Sequence, residues 1–367
     1  MKKLCFIINS AGGLSVIYPI LERIRKKKIK VILLYSTQVS RHSLIKKVKI
    51  KKLFINESIS LKMCSSILKS ILPDLIFCSN NGNNQFEINF LRSSKQNKIN
   101  SFTIMDSWSY PLRRFQYKIR DKTFEIFPNT IGVPNQKIYK LIKNKTKFSD
   151  VFISGYPQIN YNIENYFKNK KIKQNKKVID FLYISTPYEK KKINHITDGS
   201  EIYFNQEKIL KIFLEVINEF AFKYGLKINL TMRLHPLDSL RFLEFKKKNK
   251  KYKNIIIKIN KKIFNYESYL NKDAVFGISS MMLYEASLCG LPSISLQLSE
   301  EFKKKEKVNY FKNIKGIKVC NEKNDLFKQL KNIIKRNNLK KSISMKNKTL
   351  FERNNNLIFE KVLKRLN

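Results

Sequence analysis

Acidic side chains are scarce in this sequence. Asp and Glu number 28 against 74 Lys and Arg, which leaves a formal charge of +46. Heavy use of Lys, Asn, Ile, Phe and Tyr fits an AT-rich coding bias, and such bias places lysine on any tolerant surface. Glutamate codons are nearly as AT-compatible as lysine codons, so bias leaves the acid deficit unexplained. The excess favours anionic partners: membrane headgroups, nucleotide phosphates, acidic glycans or nucleic acid. Nucleic acid is the weakest of these. The lysines are spread along the chain, and no RNP, zinc-finger or basic-zipper pattern is present.

Histidine, cysteine and long apolar runs are also sparse. Three widely separated histidines argue against a His/Cys metal cluster. The five cysteines form no CxxC and mostly sit in apolar runs. They predict free, buried thiols in a reducing compartment, not disulfides. No stretch approaches the roughly 20 apolar residues that span a bilayer. The opening "MKKLCFIINSAGG" imitates a signal peptide, but its apolar core, Leu4 to Ile8, is broken by Asn9 and Ser10 and is too short. The expected location is the cytoplasm, at the inner face of the membrane. Neither a cofactor nor a metal is expected.

What remains is ample for folding. Hydrophobic residues make up 43% of 367 positions, enough for globular cores and long enough for two domains. Short apolar runs alternate with amphipathic ones. "LCFIINS", "KVILLYS", "PDLIFCSN" and "NSFTIMDS" read as strands; "LSVIYPILERIRKK", after a Gly-Gly turn, and "SISLKMCSSILKSIL" read as helices. The rhythm pauses at "VFISGYPQINYN" and a Lys/Asn-rich stretch. It restarts with "VIDFLYIST", the long helix "NQEKILKIFLEVINEFAFKYG", and the strands "LKINLTMRLHP", "NIIIKI", "AVFGIS" and "LPSISLQ". This is the βαβ rhythm of parallel sheets. The expected class is α/β, with two Rossmann-like doubly wound domains and a cleft between them. The expected division is residues 1–160, a linker 161–177, residues 178–340, and a basic C-terminal helix 341–367.

In an open parallel sheet, ligands bind beyond the carboxyl ends of the strands. Polar residues collect there: Ser10 with Gly12 and Gly13, Ser79 to Asn81, Asp106, Ser185 and Thr186, His235, and Ser279 with Ser280. Ser279 and Ser280 stand between a strand and a helix. They serve either as helix caps or as donors to a phosphate at the helix N-terminus. Glu285, about five residues on, either lies on a solvated helix face or reaches a ribose. In "RLHP", Pro236 keeps His235 extended. His235 is either bonded within a turn or aimed at a ligand. In "SFTIMDSWSYPLRRF", Asp106 either caps a helix or takes a proton from an acceptor hydroxyl. The lone Trp108 and Tyr110 could stack on sugars, and Arg113 and Arg114 could grip carboxylate or phosphate. Glu87 is the next choice of base.

The run Ser279-Ser280, Glu285-Ala286, Gly290-x-Pro292 followed by a strand resembles the donor half of a GT-B glycosyltransferase. "VFISGYPQIN" resembles the Gly-x-Pro segment closing the first domain of that fold. The ordered pair His235-Pro236 and Ser279-Ser280 is similar to the bacterial sialyltransferases and Kdo transferases that use CMP-sugars. Where those sialyltransferases carry an acidic-acidic-Gly motif, this chain has Asp106-Ser107-Trp108. The resemblance implies an inverting, metal-independent transfer from a nucleotide-sugar donor to a surface glycan or lipid-linked acceptor. Asp106 would be the base and His235 would stabilise the leaving group. Ser185, Thr186, Arg233, His235, Pro236, Ser279, Ser280 and Glu285 would hold the nucleotide. Gly12, Gly13, Trp108, Tyr110, Arg113 and Arg114 would face the acceptor. Three other readings are a UDP-GlcNAc 2-epimerase-like enzyme, a CDP-glycerol-type polyol-phosphate transferase, and a non-catalytic basic protein bound to membrane or nucleic acid.

Overall fold

A computed structural model describes residues 1–40, 42–79, 85–105, 111–170, 178–186, 193–194, 201–202, 206–234, 252–260, 262, 264–298, 311, 314, 316–337 and 346–366. The chain forms two compact units. One comprises Met1–Tyr161 with Lys346–Asn367, the other Asn162–Met345.

The first unit holds a seven-stranded parallel sheet. Its strands are β1 (Lys3–Ile8), β2 (Lys30–Tyr35), β3 (Lys51–Phe54), β4 (Leu75–Cys78), β5 (Asn100–Ile104), β8 (Thr130–Val133) and β9 (Asp150–Ile153), in the order β3-β2-β1-β4-β5-β8-β9. Strands β6 (Gln116–Ile119) and β7 (Lys122–Glu125) form a separate antiparallel hairpin. β1 and β4 are continuous apolar runs because they are central and covered on both faces. Helix α1 (Ala11–Ile24) begins earlier than the sequence suggests. Ser10 accepts a hydrogen bond from the Gly13 N–H at 3.0 Å, and this cap draws Gly12 and Gly13 into the first helical turn. Helices α2 (Thr37–Ser40), α3 (Ser43–Lys47), α4 (Leu61–Ile71), α5 (Gln85–Gln96) and α6 (Gln136–Lys145) complete the connections.

Helix α7 (Pro157–Asn169) runs from the first unit into the second. The second unit holds a six-stranded parallel sheet: β10 (Val178–Ile184), β13 (Lys227–Arg233), β14 (Ile255–Ile259), β15 (Ala274–Gly277), β16 (Ser293–Leu296) and β17 (Ile317–Cys320), ordered β14-β13-β10-β15-β16-β17. A two-residue pairing of β11 (Ile193–Asn194) with β12 (Glu201–Ile202) stands apart. The helices are α8 (Gln206–Lys223), α9 (Asn265–Tyr269), α10 (Met281–Leu288) and α11 (Lys323–Asn337). α8 ends before Gly225, whose φ of +60° is the left-handed conformation that stops a helix. Its buried face, including Phe213, Ile217 and Phe220, packs with Phe181, Tyr183 and Phe276 of the sheet. The final helix, α12 (Lys346–Leu366), belongs to the first unit and packs against α1.

Both sheets reverse strand order beside their first strand, so each is a doubly wound Rossmann-like sheet as expected. The switch points lie between β1 and β4 and between β10 and β15. All five cysteines are buried and unpaired. Burial pushes the thiols of Cys5, Cys64 and Cys320 up to about 12, which suits inert core residues. Among the described residues, no helix is long and apolar enough to cross a membrane.

Candidate functional site

Strand register assembles the second unit's site. Ile184 lies beside Arg233 on one flank and Gly277 on the other. The residues that follow therefore emerge together at the switch point. Gly277 keeps β10 and β15 close: a Cβ there would stand 3.1 Å from the Ile184 carbonyl oxygen.

Ser185 and Thr186 leave β10 buried. The Ser185 N–H donates to the Arg233 carbonyl at 3.0 Å. The Thr186 N–H donates to Gln206 Oε1, at the start of α8. The Thr186 hydroxyl is buried and has no hydrogen-bond partner among the described residues, a polar group that a ligand can satisfy. Arg233, at the end of β13, donates to Ser268 Oγ at 2.7 Å and to the Lys262 carbonyl at 3.0 Å. Burial lowers its pKa, with Tyr269, Glu285 and Glu267 opposing.

Ser279 and Ser280 follow β15. Ser280 is the N-cap of α10 and accepts from the Met282 N–H at 3.2 Å. Capping uses a lone pair, so the Ser280 hydroxyl hydrogen can still be donated to an anion. Glu285 lies on the inner side of α10, only 2% exposed, and so is not on a solvated face. Asn265 Nδ2 donates to its Oε2 at 3.2 Å, while Oε1 has no hydrogen-bond partner among the described residues. Burial raises the Glu285 carboxyl from 4.5 to about 8, against the opposing pull of Asn265, Tyr269, Arg233 and Asn162. The switch point thus carries helix-end donors, an unsatisfied hydroxyl and a buried carboxyl near a guanidinium. Those groups suit a ligand with both phosphate and hydroxyls. Asn162, Gln206, Asn265, Ser268 and Tyr269 escaped sequence reasoning. They come from helices with no local motif, and only folding gathers them here.

In the first unit the switch point is organised by a second buried carboxylate. Glu87, in the first turn of α5, is 1% exposed. It accepts from the Asn9 N–H at 3.1 Å and from the Ser79 hydroxyl at 2.5 Å. Glu87 thereby ties the ends of β1 and β4 together. Asn9 Oδ1 is buried without a hydrogen-bond partner among the described residues. Arg113 and Arg114 share a 3-10 turn, but only Arg113 is exposed; Arg114 is buried. Asp106, Trp108, Tyr110, His235 and Pro236 lie outside the described residues.

No protein-family model matches the chain, and no curated protein matches its sequence. Solved structures do match. UDP-GlcNAc 2-epimerase from Neisseria meningitidis, bound to UDP-GlcNAc, aligns with 99% of this chain and 100% of its own, at TM-score 0.61 and 13% identity. UDP-GlcNAc 2-epimerase from Methanocaldococcus jannaschii aligns over 90% and 92%, at TM-score 0.60 and 16% identity. The glycosyltransferase of kitacinnamycin aligns over 99% and 98%, at TM-score 0.60 and 9% identity. The chain has a GT-B-like fold. At these identities the likeness is one of fold alone.

Proposed function

We propose that the protein is a nucleotide-sugar-dependent glycosyltransferase. One observation carries the reading: Ser185–Thr186, Arg233, the Ser279–Ser280 helix end and buried Glu285 converge at the second unit's switch point. The diphosphate or monophosphate of the donor would sit at the α10 N-terminus, where unsatisfied N–H groups and the helix dipole favour negative charge. Glu285 would accept from ribose hydroxyls. His235, followed by Pro236, would stabilise the departing phosphate. Asp106 would deprotonate the acceptor hydroxyl for inverting displacement. Gly12, Gly13, Trp108, Tyr110, Arg113 and Arg114 would bind the acceptor, a surface glycan or a lipid-linked sugar at an anionic membrane. The His235-Pro236 and Ser279-Ser280 pair favours a CMP-linked donor of the sialic acid or Kdo type.

A second reading, UDP-GlcNAc 2-epimerase, is favoured by the fold's likeness to the epimerases from Neisseria meningitidis and Methanocaldococcus jannaschii. A thermal-shift panel of CMP, CDP and UDP separates the two. A nucleotide at a hundred times its dissociation constant should stabilise the protein by about 2.7 kcal/mol. Stabilisation by CMP supports sugar transfer; stabilisation by UDP with interconversion of UDP-GlcNAc supports epimerisation. If no nucleotide stabilises the fold, both readings fail. Asp106→Asn should keep nucleotide binding and slow transfer about a hundredfold. His235→Ala should slow it at least about tenfold.

A further inference from the structure

The loop between α6 and β9 presents an aromatic side chain to solvent from a well-tied backbone. Phe148 is 98% exposed. On either side of it the chain is pinned: Thr146 Oγ1 donates to Ser149 Oγ at 2.8 Å, and Ser149 Oγ donates to the Pro128 carbonyl at 2.7 Å. Thr146 and Ser149 are both buried. The exposure of Phe148 is therefore built into the fold. A single exposed ring is ordinary by itself; set among exposed cations on a pinned loop, it points to a surface that would cover it.

The surroundings identify that surface. Helix α6 turns Ile138 and Ile142 inward and leaves Leu141 exposed at 39%. Lys137, Lys140, Lys143, Lys145 and Lys147 are exposed around Leu141 and Phe148, and residues 134–149 contain no Asp or Glu. The last turns of α12 reach the same sheet edge. Lys361 pairs with Asp150 at 2.8 Å, and Arg365 donates to Thr130 at 2.8 Å. Asp150, the acid that follows Phe148, is thus already engaged, with Arg365 also 3.8 Å away. Lys364 is exposed beyond it, and Glu360 is an exposed acid on the same helix. Two apolar side chains framed by ammonium groups match an interface where phosphates lie above acyl chains.

We propose that this face of the first unit, formed by α6, Lys147, Phe148 and the end of α12, docks on an anionic lipid bilayer. Phe148 and Leu141 enter the headgroup boundary, and the lysines meet lipid phosphates. The proposal rests on the reading that the enzyme works at a membrane and locates the contact. It does not depend on the identity of the donor.

The test is co-sedimentation of the full chain with phosphatidylcholine vesicles, with and without phosphatidylglycerol, across a salt series. Wild type should bind only the anionic vesicles and should release as salt rises. Phe148→Ser should weaken binding about tenfold, as expected for losing a buried aromatic anchor. The triple variant Lys140→Glu, Lys143→Glu, Lys147→Glu should abolish it. Nucleotide-induced thermal shifts, measured on the same samples, should be unchanged in both variants, which separates loss of docking from loss of the donor site. Vesicle binding that is absent in wild type, indifferent to lipid charge, or unaltered in both variants overturns the proposal. So does loss of affinity for a single-stranded oligonucleotide with vesicle binding intact, since the face would then serve nucleic acid.

Discussion

Burial lifts the Glu285 carboxyl to about 8, and the neighbours that hold it, Asn265, Tyr269, Arg233 and Asn162, do not bring it back. Because its folded pKa lies above the unfolded value, folding takes up a proton in the window from 4.5 to about 8. The cost to stability is smallest below that window and grows as pH rises through it. Glu285→Gln removes the cost. Its melting temperature should gain on wild type as pH rises from 4.5 to about 8, read by calorimetry across that range. A ligand whose hydroxyls donate to the carboxylate has the opposite preference and binds the charged form. Nucleotide affinity in wild type should therefore rise with pH up to about 8 and then level, and titration calorimetry in buffers of different ionisation heat should show a proton released on binding. In Glu285→Gln that pH dependence should vanish. A flat wild-type profile would remove Glu285 from the nucleotide site and leave it a buried structural carboxyl. The proposed role was only half legible in the sequence. The position of Glu285 on a helix was readable, but its burial depends on α9 and on Asn162 of α7, both remote in sequence.

At the scale of elements, the α10 N-terminus and the β10–β15 contact make separate demands. Ser280 caps α10, so Ser280→Ala costs stability whatever the ligand, about 1 kcal/mol. The double change Ser279→Ala and Ser280→Ala should weaken nucleotide binding by more than that single cap accounts for. Parallel denaturation and binding measurements decide it: unchanged affinity with a lowered melting point would make both serines caps and nothing more. Gly277 is constrained differently. A methyl group there meets the Ile184 carbonyl oxygen of a central strand at 3.1 Å, and a paired backbone oxygen has little room to move. Gly277→Ala should destabilise the second unit by about 1–3 kcal/mol, visible as a lower denaturation midpoint. Nucleotide affinity should fall too, because the serine pair follows two residues later. The main strands and the long helix α8 were legible because buried parallel strands are unbroken apolar runs and amphipathic helices have their own period. Strands β3 and β9, the β6–β7 hairpin, β8 and β17 were among those missed: their runs are four residues long, and most are half-polar or interrupted.

Over the whole molecule, charge and fold carry different information. The net charge of +46 is a property of composition, and it selects anionic partners without saying which face meets them. The structure distributes that charge: Lys361 and Arg365 are occupied within the first unit, whereas the lysines of α6 surround an exposed aromatic. Sequence alone determined the α/β class, two Rossmann-like halves, free buried thiols, and polar residues at strand ends, because local periodicity and hydrophobicity encode each of these. Tertiary structure decided which strands are neighbours, and with them the switch points. It also decided that Glu285 and Glu87 are buried, that Arg113 and Arg114 have different surroundings, and that the final helix joins the first unit. Those outcomes follow from the order and register in which strands pair. Pairing is set by the packing of segments far apart in the chain, and no local stretch of residues contains it.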